Sequence, residues 1–267
     1  MRRGMSIVLG VLLLVMAASA AESAQTIKLG MECDYQPFQY KDKSGKLVGW
    51  EVDLAQELFK RMNIPYETVC MEWDGLLPAL LAGKIDAVMS ALSITAERQQ
   101  KVDFSIPYRG STGRFVAKKG AGVQPFRPDG TPNPDGLKGK VVGAQRATTY
   151  EKYLKAKFPD AKVNLYGADS EMLLDLQAGR VDCVLHGPIK LSANFLELPQ
   201  GKDFEFTGPE LIEPDFFGVG TGIAIRKGNT ELLNKFNAAF RSTFEDGTFK
   251  TLNLKYWKFS VLPTVWK

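Results

Sequence analysis

Hydrophobic residues along the chain follow two spacings, one typical of helices and one typical of buried strands. From Val52 the apolar residues fall three and four positions apart, which predicts an amphipathic helix. Ile85 to Met89 is a continuous apolar run, which predicts a strand in a sheet covered on both faces. Strands and helices keep alternating up to a final pair of predicted helices, over 230–244 and 248–257. This order predicts an α/β fold with mostly parallel sheets.

One helix–glycine–strand unit occurs twice, 96 positions apart. Ala82-Gly83-Lys84-Ile85-Asp86 in the first copy matches Ala178-Gly179-Arg180-Val181-Asp182 in the second, and leucines and a valine match on either side. Two copies predict two lobes, each with its own sheet. The residues after the two strands differ, because one copy continues with Ser90-Ala91-Leu92-Ser93 and the other with His186-Gly187-Pro188.

The glycine-rich stretch 218–222 indicates a second crossing between the two lobes. One more strand and the last helices follow it, so we expect the chain to return there to its first lobe. Two lobes joined by two crossings enclose a cleft, and ligands of such sheets bind at the carboxyl ends of the strands. The polar residues expected at those ends are Glu32, Ser90 to Ser93, Gln145 to Thr149 and His186-Gly187.

The first twenty residues have the pattern of a cleaved secretion signal. Arg2 and Arg3 precede an apolar run from Ile7 to Ala18 that is too short for a permanent membrane span, and Ala18-Ser19-Ala20 is a small-x-small cleavage pattern. We expect cleavage after Ala20 or a few residues later, and a periplasmic location. Removing residues 1–20 lowers the formal net charge from +4 to +2, which is too mild to indicate nucleic-acid binding.

The three cysteines leave at least one thiol unpaired. Cys33 ends the first predicted strand and Cys70 ends the second. If those strands are adjacent and parallel, the two could form a disulfide in an oxidising compartment, which the sequence leaves open. Cys183 lies inside an apolar strand, where we expect a buried thiol.

Several residues near the predicted strand ends could bind a charged ligand. Arg98 could clamp a carboxylate, although its spacing alone fits a surface arginine better. Thr148 and Thr149 start a helix whose free N–H groups could bind an anion, although from spacing alone ordinary N-capping explains them better. Glu32 could pair with a ligand cation or could simply be an exposed residue at a strand end.

Two aromatic residues could enclose an apolar or cationic ligand chain. Tyr35 and Trp73 both lie beside predicted strand ends of the first lobe. His186 is the single histidine and has no metal-ligand neighbours at the right spacing, so the sequence predicts no metal. It predicts no cofactor either, and no arrangement of residues specifies catalysis.

Taken together, a set of short motifs resembles one known family. These are Tyr35-Gln36-Pro37-Phe38, Gly49-Trp50-Glu51-Val52-Asp53-Leu54, Trp73-Asp74-Gly75-Leu76-Leu77-Pro78, Ala82 to Val88, Ser93 to Arg98, Phe104-Ser105 with Pro107-Tyr108, Asp246-Gly247-Thr248 and Tyr256-Trp257. From Thr26 to about Leu262 the chain resembles the periplasmic polar-amino-acid-binding proteins of ABC importers, solute-binding family 3. That family includes lysine/arginine/ornithine-, histidine- and opine-binding proteins.

The resemblance implies the two-lobed type II periplasmic-binding-protein fold, with two hinge crossings and the ligand in the interlobe cleft. Residues 26–111 plus 220–262 would form lobe 1, and residues 114–217 would form lobe 2. The implied function is capture of a cationic or polar amino acid, or a derivative such as an opine, for delivery to an inner-membrane ABC permease. The protein would act as a monomer and without a cofactor.

The resemblance also assigns roles to individual residues. Arg98 matches the arginine that clamps the ligand carboxylate, and Glu32 matches the acid that binds a distal cation in basic-amino-acid binders. The remaining implied contacts are the aromatic pair Tyr35 and Trp73, the loop residues Ser90, Ala91 and Ser93, the helix start Thr148 and Thr149 with Gln145 before it, and His186 with Gly187.

Two positions depart from the family pattern. Ala91 replaces a hydroxyl residue of many relatives. Gly187 stands where the family usually places an aspartate that pairs with the ligand's α-ammonium, a bond worth roughly 1.5–3 kcal/mol. A substituted amine, as in an opine-like conjugate, is therefore a candidate ligand, and Gln145 and Arg146 could contact its second carboxylate. The alternatives are a cyclohexadienyl dehydratase-like enzyme on the same scaffold and a ligand-sensing receptor.

Overall fold

The computed structural model describes residues 26–262. The expected signal segment, residues 1–20, lies outside the described residues. None of the helices within 26–262 is both long enough and apolar enough to cross a membrane.

Two five-stranded sheets form the framework of the protein. The first sheet contains, in spatial order, β5 (Tyr66–Cys70), β1 (Ile27–Met31), β6 (Ala87–Val88), β13 (Ala224–Arg226) and β7 (Val102–Phe104). The second contains β10 (Lys162–Tyr166), β9 (Val141–Gln145), β11 (Cys183–His186), β8 (Gly113–Lys118) and β12 (Phe204–Leu211). We call the parts built around them lobe 1 and lobe 2.

Each sheet combines two parallel pairs of strands with two antiparallel pairs, because one strand runs against the other four. In lobe 1, β5 and β6 run parallel to β1, whereas β13 runs antiparallel to both β6 and β7. In lobe 2, β10 and β11 run parallel to β9, whereas β8 and β12 form antiparallel pairs. The expectation of mostly parallel sheets therefore holds only for the helix-connected strands. The chain enters lobe 2 through β8 and returns to lobe 1 through β13, and these crossing strands supply the antiparallel pairs.

Helices cover both faces of each sheet. They are α1 (Trp50–Met62), α2 (Trp73–Leu81), α3 (Ala96–Gln99), α4 (Thr149–Lys157), α5 (Asp169–Gln177), α6 (Pro188–Leu191), α7 (Pro214–Phe217), α8 (Thr230–Glu245) and α9 (Thr248–Tyr256). The small antiparallel sheet β2 (Asp34–Tyr35), β3 (Gln39–Lys41) and β4 (Leu47–Val48) leads into α1. Helices α1, α8 and α9 pack on one face of the lobe 1 sheet around Trp50 and Phe240, both fully buried, and α2 packs on the other face.

A disulfide joins the carboxyl ends of the first two parallel strands. Strands β1 and β5 are adjacent, with Met31 in register with Cys70. This places Cys33 and Cys70 with their Cα atoms 5.4 Å apart, and the two are bonded. Cys183 is fully buried in β11, and burial raises the pKa of its thiol to about 12.

The two crossings contact each other at Thr221. Its N–H donates to the carbonyl of Arg109, at 2.7 Å, and its carbonyl accepts from the N–H of Tyr108, at 2.9 Å. The two connecting segments are therefore paired where they pass between the lobes. The exact lobe limits of 26–111 plus 220–262 and 114–217 stay a prediction.

Candidate functional site

A cavity lies between the two lobes, with an empty volume of about 420 Å³ that includes solvent at its mouth. The lobes are closed on each other, because Gln145 of lobe 2 donates to Glu32 of lobe 1 at 2.7 Å and Arg146 pairs with Asp74 at 2.9 Å. Its walls are formed by Glu32, Tyr35, Trp73, Ser90, Ala91, Ser93, Arg98 and Arg109 of lobe 1, by Ser111 and Thr112 of the crossing, and by Gln145, Thr148, Thr149, Tyr150 and His186 of lobe 2. Eleven of the twelve residues expected to contact a ligand line this cavity, and Gly187, which has no side chain, lies just behind the wall.

The loop after β6 is held in an unusual backbone conformation by a buried carboxylate. Ala91 has a φ of 50°. Its N–H donates to both carboxylate oxygens of Glu51, at 3.0 and 3.1 Å, and the hydroxyl of Tyr108 donates to the same group at 2.7 Å. Glu51 is fully buried at the start of α1. It therefore positions the loop that carries Ser90 and Ser93, a role that the sequence did not reveal.

The hydroxyl of Ser90 is oriented by two donors of lobe 1. It accepts from the side-chain amide of Gln39 at 2.8 Å and from the N–H of Glu32 at 3.1 Å. Because both of these bonds use its oxygen, its own hydrogen remains available to a ligand. Ser93 lies 2.8 Å from the hydroxyl of Ser111, which connects the loop to the first crossing.

Arg98 is a buried cation at the junction of the lobes. Thr95 caps the short helix α3 by accepting from the N–H of Arg98, and the side chain of Arg98 is directed into the cavity. Its guanidinium donates to the carbonyl of Ser93 at 3.1 Å and across the cleft to the carbonyl of Ala147 at 3.3 Å. It also lies 5.5 Å from the centre of the Trp73 ring.

Arg98 keeps its charge in this position. Burial lowers the pKa of Arg98 to about 10, which leaves it protonated at neutral pH. Within the described residues its guanidinium forms no ion pair. An anionic ligand group is therefore the natural partner, because a buried charge is costly unless it is paired.

The amino end of α4 faces the same cavity from lobe 2. The hydroxyl of Thr148 donates to the carbonyl of Gln145 at 2.6 Å and accepts from the N–H of Glu151 at 3.3 Å, so Thr148 is the N-cap. The free N–H groups of the first turn, beginning at Thr149, can bind an anion. Capping and anion binding thus coexist here, since the cap uses the hydroxyl and leaves backbone donors free.

A carboxyl group at the carboxyl end of β1 is held mostly protonated. Glu32 is 4% exposed, and its Oε1 accepts from the side-chain amide of Gln145 at 2.7 Å. Burial, reinforced by the nearby carboxylate of Asp169, raises the pKa of Glu32 to about 8. A ligand cation placed beside Glu32 would favour its ionised form.

The lone histidine is neutral and has one unused donor. The N–H of Gly187 donates to Nδ1 of His186 at 2.8 Å, so the ring proton belongs on Nε2. Nε2 is buried and has no partner among the described residues. Burial, together with the charges of Lys190 and Arg109, lowers the pKa of His186 to about 3.

The aromatic residues take different positions in the wall. Tyr35 is 6% exposed and stacks on Phe38, with ring centres 5.3 Å apart, whereas the ring of Trp73 lies beside the guanidinium of Arg98. Arg146, suggested as a contact for a second carboxylate, does not line the cavity. Its Nε instead pairs with Asp74 across the cleft at 2.9 Å.

Sequence reasoning missed four residues of the wall, namely Arg109, Ser111, Thr112 and Tyr150. The first three belong to the segment between the Phe104 to Tyr108 motif and β8, to which the sequence assigns no site residue. The sequence signal that could have identified this part of the site is the arginine in the segment that connects the lobes. Among residues 26–262, no group of three or more acidic, histidine or cysteine side chains could hold a metal ion.

Comparison with known proteins places the chain among solute-binding proteins. It is 39% identical to the L-arginine-binding protein of Pseudomonas aeruginosa over 88% of this chain and 89% of that protein. It is 38% identical to the lysine/arginine/ornithine-binding periplasmic protein of Escherichia coli K12 over 92% of each. An ancestral arginine-binding protein bound to arginine has a similar structure, with a TM-score of 0.76 and 37% identity, covering 87% of this chain and 98% of that one.

The structural similarity confirms the expected fold class, two α/β lobes of the type II periplasmic-binding-protein kind. Residues 27–259 match the family model described as bacterial extracellular solute-binding proteins, family 3. The matched range includes both sheets and every residue that lines the cavity. The chain therefore belongs to the bacterial extracellular solute-binding proteins of family 3.

Proposed function

We propose that this protein is the periplasmic amino-acid-binding component of an ABC importer. The observation that carries the proposal is the interlobe cavity in which the guanidinium of Arg98 and the amino end of α4 converge from the two lobes. Among the described residues this guanidinium forms no ion pair. The guanidinium and the helix end together suit a carboxylate, the group common to all amino acids. The arginine- and lysine/arginine/ornithine-binding relatives support the same class of ligand.

In this proposal each wall contacts a different part of the ligand. Arg98 and Thr149 bind the α-carboxylate, with the Ser90 and Ser93 hydroxyls beside it. Tyr35 and Trp73 flank the side chain, and Glu32 with Gln145 binds its distal polar end. The ligand enters when the lobes open about the crossings, because side chains of the two lobes meet across the closed cavity.

Location and partner belong to the same proposal. A signal segment over residues 1–20 directs the chain to the periplasm, where it acts as a monomer and passes the ligand to a membrane permease. Amino-terminal sequencing of the secreted protein locates the cleavage site. Stimulation of ATP hydrolysis by the reconstituted importer, only with both protein and ligand present, tests the partner.

The binding role is tested by titration calorimetry of the mature protein. The probes are arginine, ornithine, lysine, histidine, glutamine and opines, measured with wild type and Arg98→Gln. We expect Arg98→Gln to weaken every bound ligand about 10- to 100-fold or more, because it removes a charge-assisted bond to the carboxylate. Arg241→Gln, on the exposed face of α8, is the matched control. Equal affinities for wild type and Arg98→Gln would contradict the assignment.

A second candidate function, dehydration of a cyclohexadienyl substrate, is favoured by one observation. The protonated carboxyl of Glu32 could act as the general acid that such a reaction requires. We propose the binding role instead, because the surroundings of Glu32 suit recognition of a polar side-chain end and the relatives named above are binding proteins. Turnover of prephenate or arogenate by wild type, abolished in Glu32→Gln, would establish the enzyme.

A further inference from the structure

Arg109 is a second buried cation in the cavity wall. It is 9% exposed, and its Nε has no acceptor in the part of the chain that the structure describes. The carbon of its guanidinium lies 4.6 Å from the centre of the Phe38 ring, so that ring covers one face of the group. Within residues 26–262 it forms no ion pair. A guanidinium buried in this way is costly unless an anion joins it.

The nearby carboxylate of Glu51 does not serve as that anion. Arg109 does lower the pKa of Glu51, against the larger effect of burial, so the two charges interact. The oxygens of Glu51, however, already accept from the N–H of Ala91 and the hydroxyl of Tyr108. Glu51 balances part of the charge from a distance and leaves the guanidinium N–H groups free for another acceptor.

The unused Nε2–H of His186 belongs to the same part of the cavity. The ring of Tyr35 lies 5.7 Å from that of His186 and 5.3 Å from that of Phe38, the ring that covers Arg109, so Tyr35 connects the two groups. The charge of Arg109 also helps to lower the pKa of His186. Both residues line the cavity, and neither side chain has a described acceptor for these donors. Two donors from facing lobes, both without acceptors among residues 26–262, indicate a place for an anionic oxygen in the cavity.

The same region leaves little room for the carboxylate expected by family resemblance. A Cβ at Gly187 would lie 3.1 Å from the hydroxyl of Tyr150 and 3.5 Å from that of Tyr35. Tyr150 donates to the carbonyl of Thr112 at 3.2 Å, so its hydroxyl is held in place. Where an acid would accept a ligand ammonium, this cavity therefore offers phenol hydroxyls and a nearby guanidinium.

From this geometry we infer that Arg109 and His186 form a second anion-binding position, and that the ligand is an amino acid or derivative with two acidic groups. One acidic group binds Arg98 and the other binds Arg109. Glu32 does not offset the two guanidiniums in the ligand-free protein, because it is mostly protonated at neutral pH. This inference rests on the proposed function and narrows it.

The test compares affinities for matched probes by titration calorimetry. The probes are L-arginine, L-lysine, L-glutamine and L-histidine, the Nα-carboxymethyl derivative of each, and L-glutamate. We expect wild type to bind at least one doubly acidic probe about 10- to 100-fold more tightly than its singly acidic counterpart. Preference for a carboxymethyl derivative places the second acid on the nitrogen, and preference for L-glutamate over L-glutamine places it on the side chain.

Substitution of Arg109 shows whether that preference depends on its charge. The quantity compared is the affinity for a doubly acidic probe divided by that for its singly acidic counterpart. Arg109→Gln should reduce this ratio to near one, and Arg109→Lys should retain part of the preference. The surface control Arg241→Gln should retain the full preference. If Arg109→Gln is unstable because Glu51 loses its balancing charge, the double variant Arg109→Gln/Glu51→Gln provides the measurement.

An equal ratio in Arg109→Gln and Arg241→Gln would overturn the second position. So would tighter binding of singly acidic amino acids by wild type. These results would leave the proposed function intact as long as binding depends on Arg98. Failure of all probes to bind, or binding that is indifferent to Arg98→Gln, would instead count against the proposed function itself.

Discussion

The two copies of the helix–glycine–strand unit adopt the same local structure. Gly83 and Gly179 both have a φ of 71°. Asp86 donates its N–H to the carbonyl of Lys28 at 2.8 Å and accepts from the N–H of Lys28 at 3.0 Å. Asp182 makes the same pair of bonds with Val141, both at 2.8 Å. The repeated residues therefore connect each strand to its parallel neighbour, which is a structural role.

The copies differ in the residues that flank the repeat. Trp73 begins the first helix and contacts the cavity, whereas Asp169, at the matching position, is fully buried and pairs with Lys190 at 2.7 Å. After the strand, the first copy supplies a loop ending in the cation Arg98, and the second supplies a neutral histidine followed by glycine. A repeat thus builds the framework, and its unrepeated flanks carry the chemistry.

The buried ion pair of the second copy is where we expect the largest effect on stability. Lys190→Met leaves the carboxylate of Asp169 without a partner, which should lower the free energy of unfolding by about 3–5 kcal/mol. The double variant Asp169→Leu/Lys190→Met, which removes both charges, should lower the free energy of unfolding much less. Lys235→Met, in the exposed pair with Glu231, should change the free energy of unfolding by less than about 0.5 kcal/mol. Urea unfolding measures all three, and equal losses in the single and double variants would contradict the expectation.

The two strand ends should respond to pH in opposite directions. The pKa of Glu32 is raised from 4.5 to about 8, so its stabilising contribution is complete below pH 4.5 and is lost as the pH rises through 8. The pKa of His186 is lowered from 6.5 to about 3, so its contribution is complete above pH 6.5 and is lost as the pH falls towards 3.

Variants at the two positions separate these contributions. Relative to wild type, Glu32→Gln should become more stable as the pH rises from 5 to 8. His186→Gln should become more stable relative to wild type as the pH falls from 7 to 5. Each gain is at most about 1.4 kcal/mol per pH unit. Ligand-free protein unfolded in urea at pH 5, 6.5 and 8 gives the measurement. The same pH trend in both variants would show that the two strand ends do not differ in this way.

Substitution of the repeated glycines, Gly83 and Gly179, should have the smallest effects on stability. The costs at the two positions should also be nearly equal. A Cβ at Gly83 or Gly179 would contact nothing within 4 Å, so only the positive φ opposes a side chain. Alanine at either position should cost about 1 kcal/mol. Gly75→Ala, inside α2, is the opposite control and should stabilise by up to about 1 kcal/mol. Costs at 83 and 179 that differ by more than about 1 kcal/mol would show that the copies are not structurally equivalent.

Prediction from the sequence was strongest where chemistry repeats along the chain. Apolar spacing predicted the alternating helices and strands, and the echo predicted two sheets. Arg98 shows the limit, because its spacing alone fits a surface residue and only the resemblance assigned it a ligand. Arg109 was missed because its neighbours along the chain say nothing of the cavity that the closed lobes form around it. Arg146 was misplaced because its partner Asp74 lies in the other lobe.

What the sequence determined by itself is local: which segments form helices and strands, where they end, and which polar residues follow them. Hydrophobic periodicity and backbone preferences act over a few residues, so they can be read from the chain directly. The tertiary structure decided the bonded pair Cys33–Cys70, the raised pKa of Glu32 and the burial of two guanidiniums that form no ion pair among residues 26–262. These depend on burial and on distances between residues far apart in sequence, which exist only once the two lobes have folded and closed.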